Sequence, residues 1–365
     1  MEYAGWCNVR GDLWSARRAA AAFLDNLPVE ENSGAIGRQN WIARWTKIGD
    51  EQSLLGDLNI KNGAFDEATE AWLCALTAFE VARRLADEED TQSAEISVKV
   101  EVGIQRLKSS LVRQTEQVKI APCDQAELLA YYLPAGDPDV PVPAIICISM
   151  EKETGPTLFG RLLPVVFGRR MSVLVISHDD VSHQSRGQSE ELLSCCLDYL
   201  SNRPDIDAAR IGVFGEGLSA ALATAFAASD RRIAAAVCDG GLWNWARTRA
   251  AISWITNDVD GVVDDVMSAR RAQLTRQLTC PILVVAGGRG IVSLSEATQL
   301  QADCLAAGAD LDLALPRIVR SPAGEIENFI TSDDSIFGWL EHKLACSSAC
   351  VTNIGQPDQI IGRDH

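Results

Sequence analysis

The chain has 365 residues, 47% of them hydrophobic, which suits one large domain with a sizeable core plus a smaller domain. Its 33 basic and 50 acidic residues give a net charge of −17, which disfavours nucleic acids and anionic membranes as partners. No apolar run reaches the roughly 20 residues that a membrane-spanning helix needs, and the N-terminus lacks the pattern of a secretory signal.

The 11 cysteines form no C-x-x-C pair, and several of them lie in or beside apolar runs. Without a secretory signal, this usage favours reduced thiols in a cytoplasmic protein. We expect no metal site and no cofactor.

Residues 1–116 carry a helical pattern. The run from 63 to 85 has no internal proline or glycine after its first residue, is rich in alanine and leucine, and repeats its apolar residues at intervals of three and four. We expect an all-helical N-terminal cap domain over residues 1–116.

The pattern changes near residue 117. Residues 117–121 and 128–133 are typical of an antiparallel strand pair, and a Pro/Gly/Asp-rich loop follows. Short apolar runs then alternate with helices, which predicts a mostly parallel, doubly wound sheet in an α/β core of residues 117–346. The tail, 347–365, is polar and is expected to be loose. The predicted strands are 144–149, 172–177, 210–214, 233–239, 282–286 and about 311–319; the predicted helices are about 157–169, 188–201, 217–229, 259–278, 294–307 and 334–345.

Residues 210–221 carry the most functional information. They comprise a short apolar strand, a tight turn with the letters G-E-G-L-S, and an alanine-rich helix. This is the setting of a nucleophile elbow, G-x-S-x-G, in which small residues let strand and helix approach closely. At the position of the nucleophilic serine this chain has Gly217, and at the second glycine it has Ser219.

Three interpretations of this segment stay open. One is a dinucleotide-binding loop of the GxGxxG kind, although the pattern is imperfect and follows a mid-sheet strand. The second is a nucleophile shifted to Ser219, which would lie one turn into the helix and face inward. The third is an elbow that has lost its nucleophile. We favour the third, because strand, turn and helix are all present.

Three other segments carry a family resemblance. Residues 199–207 (YLSNRPDID), 238–245 (CDGGLWNW) and 63–83 resemble, together with the elbow, α/β hydrolases with a helical N-terminal cap. That group includes dihydroxypseudooxynicotine hydrolase, the fungal hydrolases that shorten pigment polyketides, and the fermentation-respiration switch proteins. The resemblance covers about residues 55 to 345 and implies the α/β-hydrolase fold.

The resemblance also implies a Ser-His-Asp triad, which this chain does not fill. The nucleophile position holds Gly217, the acid position Gly290, and the histidine of a G-E-H turn is replaced by Ile326. The oxyanion loop reads S-M-E-K-E at residues 149–153. A serine hydrolase needs a hydroxyl, a base and a group that orients the base. We therefore expect a degenerate triad, no serine–histidine pair and no ester hydrolysis.

Some groups near the elbow could still act on a ligand. Candidate acid–base groups are Glu216, His178 and Asp239, and His178 follows a strand at the edge where sites of open α/β sheets form. The Leu218 N–H is expected to point outward at a helix N-terminus, a place for a carbonyl oxygen or an anion. The structural alternative is that Trp243 and Trp245 belong to the core and that the polar side chains cap helices or turns. The candidate ligand-contacting residues are Gly217, Leu218, Ser219, Trp243, Trp245 and Glu325.

The leading functional hypothesis is a non-hydrolytic enzyme of specialised biosynthesis. It would bind a mostly apolar small molecule or modified peptide between cap and sheet and promote a cyclisation, isomerisation or C–C rearrangement. One alternative is a non-catalytic pseudo-hydrolase that acts as a binding or scaffold partner. Another is a hydrolase with an unorthodox nucleophile, such as Ser219 or Cys238. The sequence leaves open whether the protein forms a homodimer.

Overall fold

The computed structural model describes residues 13–27, 35–86, 91–110, 115–121, 127–135, 140–151, 153–182, 186–240, 277–286, 294–321 and 324–346. The helices, strands and contacts given below lie in these residues.

The N-terminal part is helical. Its centre is the helix 65–85, whose side chains from 71 to 82 are all buried because its apolar residues surround the whole helix. The neighbouring long helix approaches it closely: a Cβ on Gly49 or Gly56 would clash with Phe79 or Trp72 of the central helix. The helices are α1 (Leu13–Asp25), α2 (Ala35–Lys61), α3 (Phe65–Leu85) and α4 (Thr91–Ser110).

An eight-stranded sheet forms the core, in the order β1-β2-β4-β3-β5-β6-β7-β8. The pairs β1–β2 and β2–β4 are antiparallel, and all other neighbours are parallel. The central strands are buried on both faces, which explains their continuous apolar runs. The strands are β1 (Glu116–Ile120), β2 (Leu128–Leu133), β3 (Val142–Ile148), β4 (Ser172–Ile176), β5 (Ile206–Glu216), β6 (Ile233–Asp239), β7 (Ile282–Val285) and β8 (Leu311–Ala314).

Helices cover both faces of this sheet, so the predicted doubly wound architecture is confirmed. On one face α5 and α10 pack with the N-terminal helices in one apolar cluster, and on the other α7, α8 and α9 form a second. α5 contacts both α3 and α4, so it joins the N-terminal helices to the sheet. These helices are α5 (Gly155–Val166), α6 (His178–Ser182), α7 (Arg186–Ser201), α8 (Ser219–Ser229), α9 (Leu294–Ala307) and α10 (Phe329–Cys346).

Three sequence predictions near the C-terminus were wrong. The strand predicted over 311–319 is divided at Pro316 into β8 and β9 (Ile318–Ser321), because proline cannot donate a ladder hydrogen bond. The predicted turn around Ile326 is the strand β10 (Gly324–Glu327), paired antiparallel with β9. The last helix begins at 329 rather than about 334. Most of the helix predicted at 259–278 and the whole tail 347–365 lie outside the described residues.

No helix in the described part of the chain is both long enough and apolar enough to span a bilayer. The division into a cap of residues 1–116, a core of 117–346 and a tail stays a prediction; β1 of the main sheet already begins at Glu116.

Candidate functional site at the elbow

The elbow lies at the carboxyl end of β5, where the sequence predicts it. The strand ends at Glu216, Gly217 follows with a φ of +61°, and α8 begins at Ser219. Strand and helix approach so closely that a Cβ on Gly215 would collide with the carbonyl group of Ser219, so only glycine fits there. The turn therefore has the geometry of an elbow without a nucleophilic side chain.

The carboxylate of Glu151 occupies the space at this turn. Its Oε2 accepts a hydrogen bond from the Leu218 N–H at 3.1 Å. A Cβ on Gly217 would lie 2.6 Å from the same oxygen. In hydrolases with this elbow, the N–H of the residue after the nucleophile is one of the two oxyanion donors. In this structure the chain's own carboxylate accepts from the Leu218 N–H, and binding of a ligand oxygen there stays a prediction.

Sequence reasoning did not single out Glu151. The available signal was its position three residues after β3, in the segment that corresponds to the oxyanion loop. The loop is fixed internally, because the Ser149 hydroxyl donates to the Glu153 carbonyl oxygen at 2.6 Å. Glu151 itself is half-buried, whereas Glu216 and Asp239 at the ends of the neighbouring strands are completely buried.

A serine and a histidine meet beside the elbow, contrary to the sequence prediction. Nδ1 of His178 lies 2.7 Å from Oγ of Ser219, and that hydroxyl also donates to the Ser149 carbonyl oxygen at 2.7 Å. Ser219 is completely buried and His178 is 8% exposed. The serine faces inward, as predicted for that position, so a substrate carbonyl cannot reach its oxygen in this conformation.

Glu216 belongs to a buried ion network rather than to the open side of the elbow. Its carboxylate is fully buried and pairs with Arg161 of α5, whose other terminal nitrogen donates to Asp333 of α10 at 2.6 Å. Burying such charges costs free energy unless each charge is paired. These contacts therefore hold α5, α10 and the end of β5 together.

The network continues into the N-terminal helices through α3. Arg83 donates to Glu80 at 2.7 Å and to Glu153 at 3.0 Å, and Arg84 donates to Glu80 at 2.7 Å. Burial raises the pKa of Glu80, but the adjacent cations of Arg83 and Arg84 outweigh this effect and lower it to about 2. Because Glu153 is two residues after Glu151, the same arginine holds the loop that carries the candidate carboxylate.

Asp239 lies at the end of β6, directly beside Glu216 in the register of the sheet. It is 1% exposed, and in the described part of the chain its Oδ2 has no hydrogen-bond partner. Burial, followed by the nearby carboxylates of Glu327 and Asp333, raises the pKa of Asp239 well above its ordinary value. Its backbone carbonyl accepts the Gly217 N–H at 2.8 Å, so it also supports the turn.

The remaining predicted site residues are placed as follows. Ile326 is 7% exposed and belongs to the apolar cluster on the face of the sheet that carries α5 and α10. Glu325 lies in β10, but its side chain is outside the described structure. Trp243, Trp245 and Gly290 also fall outside the described residues. Among the side chains that the structure describes, no group of three or more His, Cys, Asp or Glu is arranged to hold a metal ion.

The strand order, the helices on both faces and the elbow after β5 together define the α/β-hydrolase fold, here with a helical N-terminal region. Two solved structures share it over nearly the whole chain. A structure of 2,6-dihydroxy-pseudo-oxynicotine hydrolase superposes with a TM-score of 0.58 at 19% identity, covering 90% of this chain and 96% of that one. A structure of AbyA5 superposes with a TM-score of 0.50 at 15% identity, covering 93% of this chain and 95% of that one. No protein-family model matches the sequence, and neither does any curated protein.

Proposed function

We propose that the protein is a non-hydrolytic biosynthetic enzyme that uses the Glu151 carboxylate, at the emptied elbow, to move a proton on its substrate. The substrate is a mostly apolar small molecule or modified peptide, bound between the cap of residues 1–116 and the core of 117–346. The observation that carries the proposal is the position of one carboxylate oxygen, 3.1 Å from the Leu218 N–H and 2.6 Å from the Cβ site of Gly217.

This arrangement suits proton abstraction next to a carbonyl group. A substrate carbonyl that takes over the Leu218 N–H releases the Glu151 carboxylate beside it. The carboxylate then removes a proton from the α-carbon. The C–H electron pair forms a C=C bond, and the π pair of the C=O bond moves to the oxygen, where the N–H stabilises the enolate.

Return of the proton to another carbon of the conjugated system completes an isomerisation. Attack by the enolate carbon on a second carbonyl group of the substrate opens that C=O bond to an alkoxide, which takes the proton from Glu151 and completes a cyclisation. If the alkoxide instead re-forms its C=O bond and breaks a neighbouring C–C bond, the released carbanion takes that proton and a C–C rearrangement results.

The other acid–base candidates have different roles in this proposal. Glu216 is fully buried and paired with Arg161, so we assign it to supporting the elbow. Asp239 is buried behind the turn, where burial raises the pKa of its carboxyl group, and we assign it to the same support. His178 is 8% exposed and stays a candidate for proton transfer.

Each alternative function has one observation in its favour. A scaffold role fits the filled donor position, since Glu151 closes the Leu218 N–H to a ligand. An unorthodox hydrolase fits the contact between Ser219 and His178. Cys238 fits poorly as a nucleophile, because burial raises the pKa of its thiol to about 12 and so keeps it protonated.

The test is the Glu151→Gln variant, which keeps the shape and a hydrogen-bond acceptor but removes the base. Glu191→Gln, at an exposed position of α7, is the matched control. In the native host we expect product formation to fall about 10²–10⁴-fold with the first variant and to stay unchanged with the second. The measurement is product and accumulated substrate by mass spectrometry, with the fold checked by circular dichroism.

The outcomes separate the three functions. If the pathway needs the protein but Glu151→Gln supports normal product formation, the proposal is wrong and the scaffold function replaces it. A fluorophosphonate label on Ser219, together with turnover of p-nitrophenyl esters that Ser219→Ala abolishes, would instead establish the unorthodox hydrolase.

A further inference from the structure

A groove with a volume of about 580 Å³ opens at the surface between α4, β2 and the start of α5. Most of its lining comes from α4, including a stripe of residues three and four positions apart. The lining includes Val98, Glu101, Val102, Lys108, Tyr131 and Pro156. Small-molecule sites commonly have volumes of about 300–1,000 Å³, so the groove is large enough for such a ligand.

Packing between its walls holds the groove in shape. A Cβ on Gly160 of α5 would lie 2.5 Å from the side chain of Val100, so α4 and α5 approach each other closely. The ring of Tyr131 packs against Phe159 of α5, with 5.7 Å between the ring centroids. The Tyr131 hydroxyl accepts a hydrogen bond from Gln117 at 3.3 Å. The groove is therefore formed by the chain's own contacts.

Lys108 is a half-buried cation in this groove. Its Nζ lies 5.4 Å from the centroid of the Tyr131 ring, and within the described ranges of the chain no carboxylate forms an ion pair with it. Burial lowers the pKa of its ammonium group, because the cation has lost hydration without gaining an anion. Arg106, which also lines the groove, differs in that it is paired with Asp57 of α2 at 2.9 Å.

The surface beside this cation is apolar. Val98 is 59% exposed and Val102 is 43% exposed, and they lie one helical turn apart on α4. A ligand that covers them removes apolar surface from water, which favours binding. The groove therefore offers an apolar surface next to a cation that has no anion.

The charges of the groove favour an anionic ligand over a cationic one. Glu101 is exposed, and pairs of exposed charges contribute little. Glu101 also lies two turns from Lys108, about 10 Å along the helix, so the two do not neutralise each other. Lys108 has more to gain from a partner, because it is already partly removed from water.

We propose that this groove is a binding site, separate from the elbow, for a small apolar or aromatic carboxylic acid. The carboxylate of the ligand pairs with Lys108 in a charge-assisted hydrogen bond, and its apolar body packs on Val98 and Val102. The net charge of −17 repels anions over the rest of the surface, so affinity for an anion must come from a local cation such as this one. The site is independent of Glu151 and of the proposed function.

Biphenylacetate and its neutral amide, biphenylacetamide, are matched probes because they share the apolar body and differ in charge. Isothermal titration calorimetry on the full chain measures their affinities. We expect biphenylacetate to bind with a Kd below about 1 mM, about tenfold more tightly than the amide. Equal affinities for the two probes, or no saturable binding of biphenylacetate, would overturn the proposal.

Lys108→Met removes the charge and keeps an unbranched apolar side chain over Tyr131. We expect it to abolish the preference for biphenylacetate over the amide, with the fold intact by circular dichroism. Lys47→Met, at an exposed lysine of α2, is the matched control and should keep the preference. If Lys108→Met binds biphenylacetate as tightly as the parent protein, the probe binds elsewhere and the proposal is wrong. The same holds if both variants lose the preference equally.

Val102→Asp tests the apolar part of the groove from an exposed position, so the fold should tolerate it. The new carboxylate repels an anion and removes apolar contact, and we expect the affinity for biphenylacetate to fall at least about tenfold. Leu58→Asp, at an exposed position of α2, adds the same charge outside the lining and should leave the affinity nearly unchanged. Equal losses in these two variants would show that the probe senses only the overall charge.

Discussion

Replacing Gly217 by serine restores the residue type of a nucleophile elbow. The structure indicates how much unfolding free energy this substitution would cost. The new Cβ would lie 2.6 Å from Oε2 of Glu151, well inside contact distance, so the carboxylate must move away and give up the Leu218 N–H. A hydrogen bond to a charged group contributes about 1.5–3 kcal/mol. Because Glu151 is half-buried and regains water, we take about 1–2 kcal/mol.

The positive φ of residue 217 adds a second cost. At +61° a residue with a Cβ is disfavoured by about 1–2 kcal/mol. The sum is about 2–4 kcal/mol of lost unfolding free energy. The carboxylate displacement should also impair product formation, and no esterase should appear, because a lone serine without a base is a weak nucleophile.

Gly308→Ser is the matched control. Gly308 has a φ of +75°, and a Cβ there would meet no atom within 4 Å, so this variant has only the backbone cost of about 1–2 kcal/mol. Urea unfolding followed by circular dichroism measures both variants, alone and in a Glu151→Ala background. We expect the extra cost of Gly217→Ser to vanish in that background. Equal costs for the two serines in the parent protein would show that the carboxylate does not lie at the turn.

Two further predictions concern the buried ion network. Arg161→Met should lower the free energy of unfolding by about 3–5 kcal/mol, because it removes a buried cation that pairs with Glu216 and Asp333. Arg232→Met, at a half-exposed pair, should change it by less than about 1 kcal/mol. Urea unfolding measures both variants, and similar losses would contradict the reasoning. The pKa of Glu80 is lowered from 4.5 to about 2, so its stabilising contribution is present above the higher value and lost as the pH falls towards the lower. Glu80→Gln should therefore reduce the loss of unfolding free energy between pH 4.5 and about 2, whereas Glu51→Gln, on the surface, should not change it. If the unfolding free energy of Glu80→Gln falls with pH as steeply as that of the parent protein, Glu80 does not make this contribution.

The sheet and the elbow could be predicted because their signals are local. Continuous apolar runs mark strands buried on both faces, and G-E-G-L-S after such a run marks a strand–helix turn. The C-terminal hairpin was missed because β9 and β10 are only four residues each, too short for a period to stand out. Ile326 is therefore a strand residue facing its partner Val319 rather than part of a turn.

The polar contacts of the site could not be predicted, because they join distant parts of the chain. Arg161 looks like an isolated charge in an apolar helix, and its partners lie 55 and 172 residues away. His178 and Ser219 are 41 residues apart. They follow β4 and β5, which are not neighbours in the sheet. Only the strand order, with β3 between them, brings both to the loop that carries Glu151.

Arginines of α3 and α5 also attach the N-terminal helices to the loop beside the elbow. Arg83 of α3 is bound to Glu153 beside the elbow, and Glu153 lies 3.6 Å from the buried guanidinium of Arg161 on α5. Lifting α3 from the sheet would separate these charges, at a cost of several kcal/mol per ion, and each 1.4 kcal/mol reduces the open population about tenfold. The N-terminal helices are therefore held on the sheet by buried charges as well as by apolar packing, which disfavours a swinging lid.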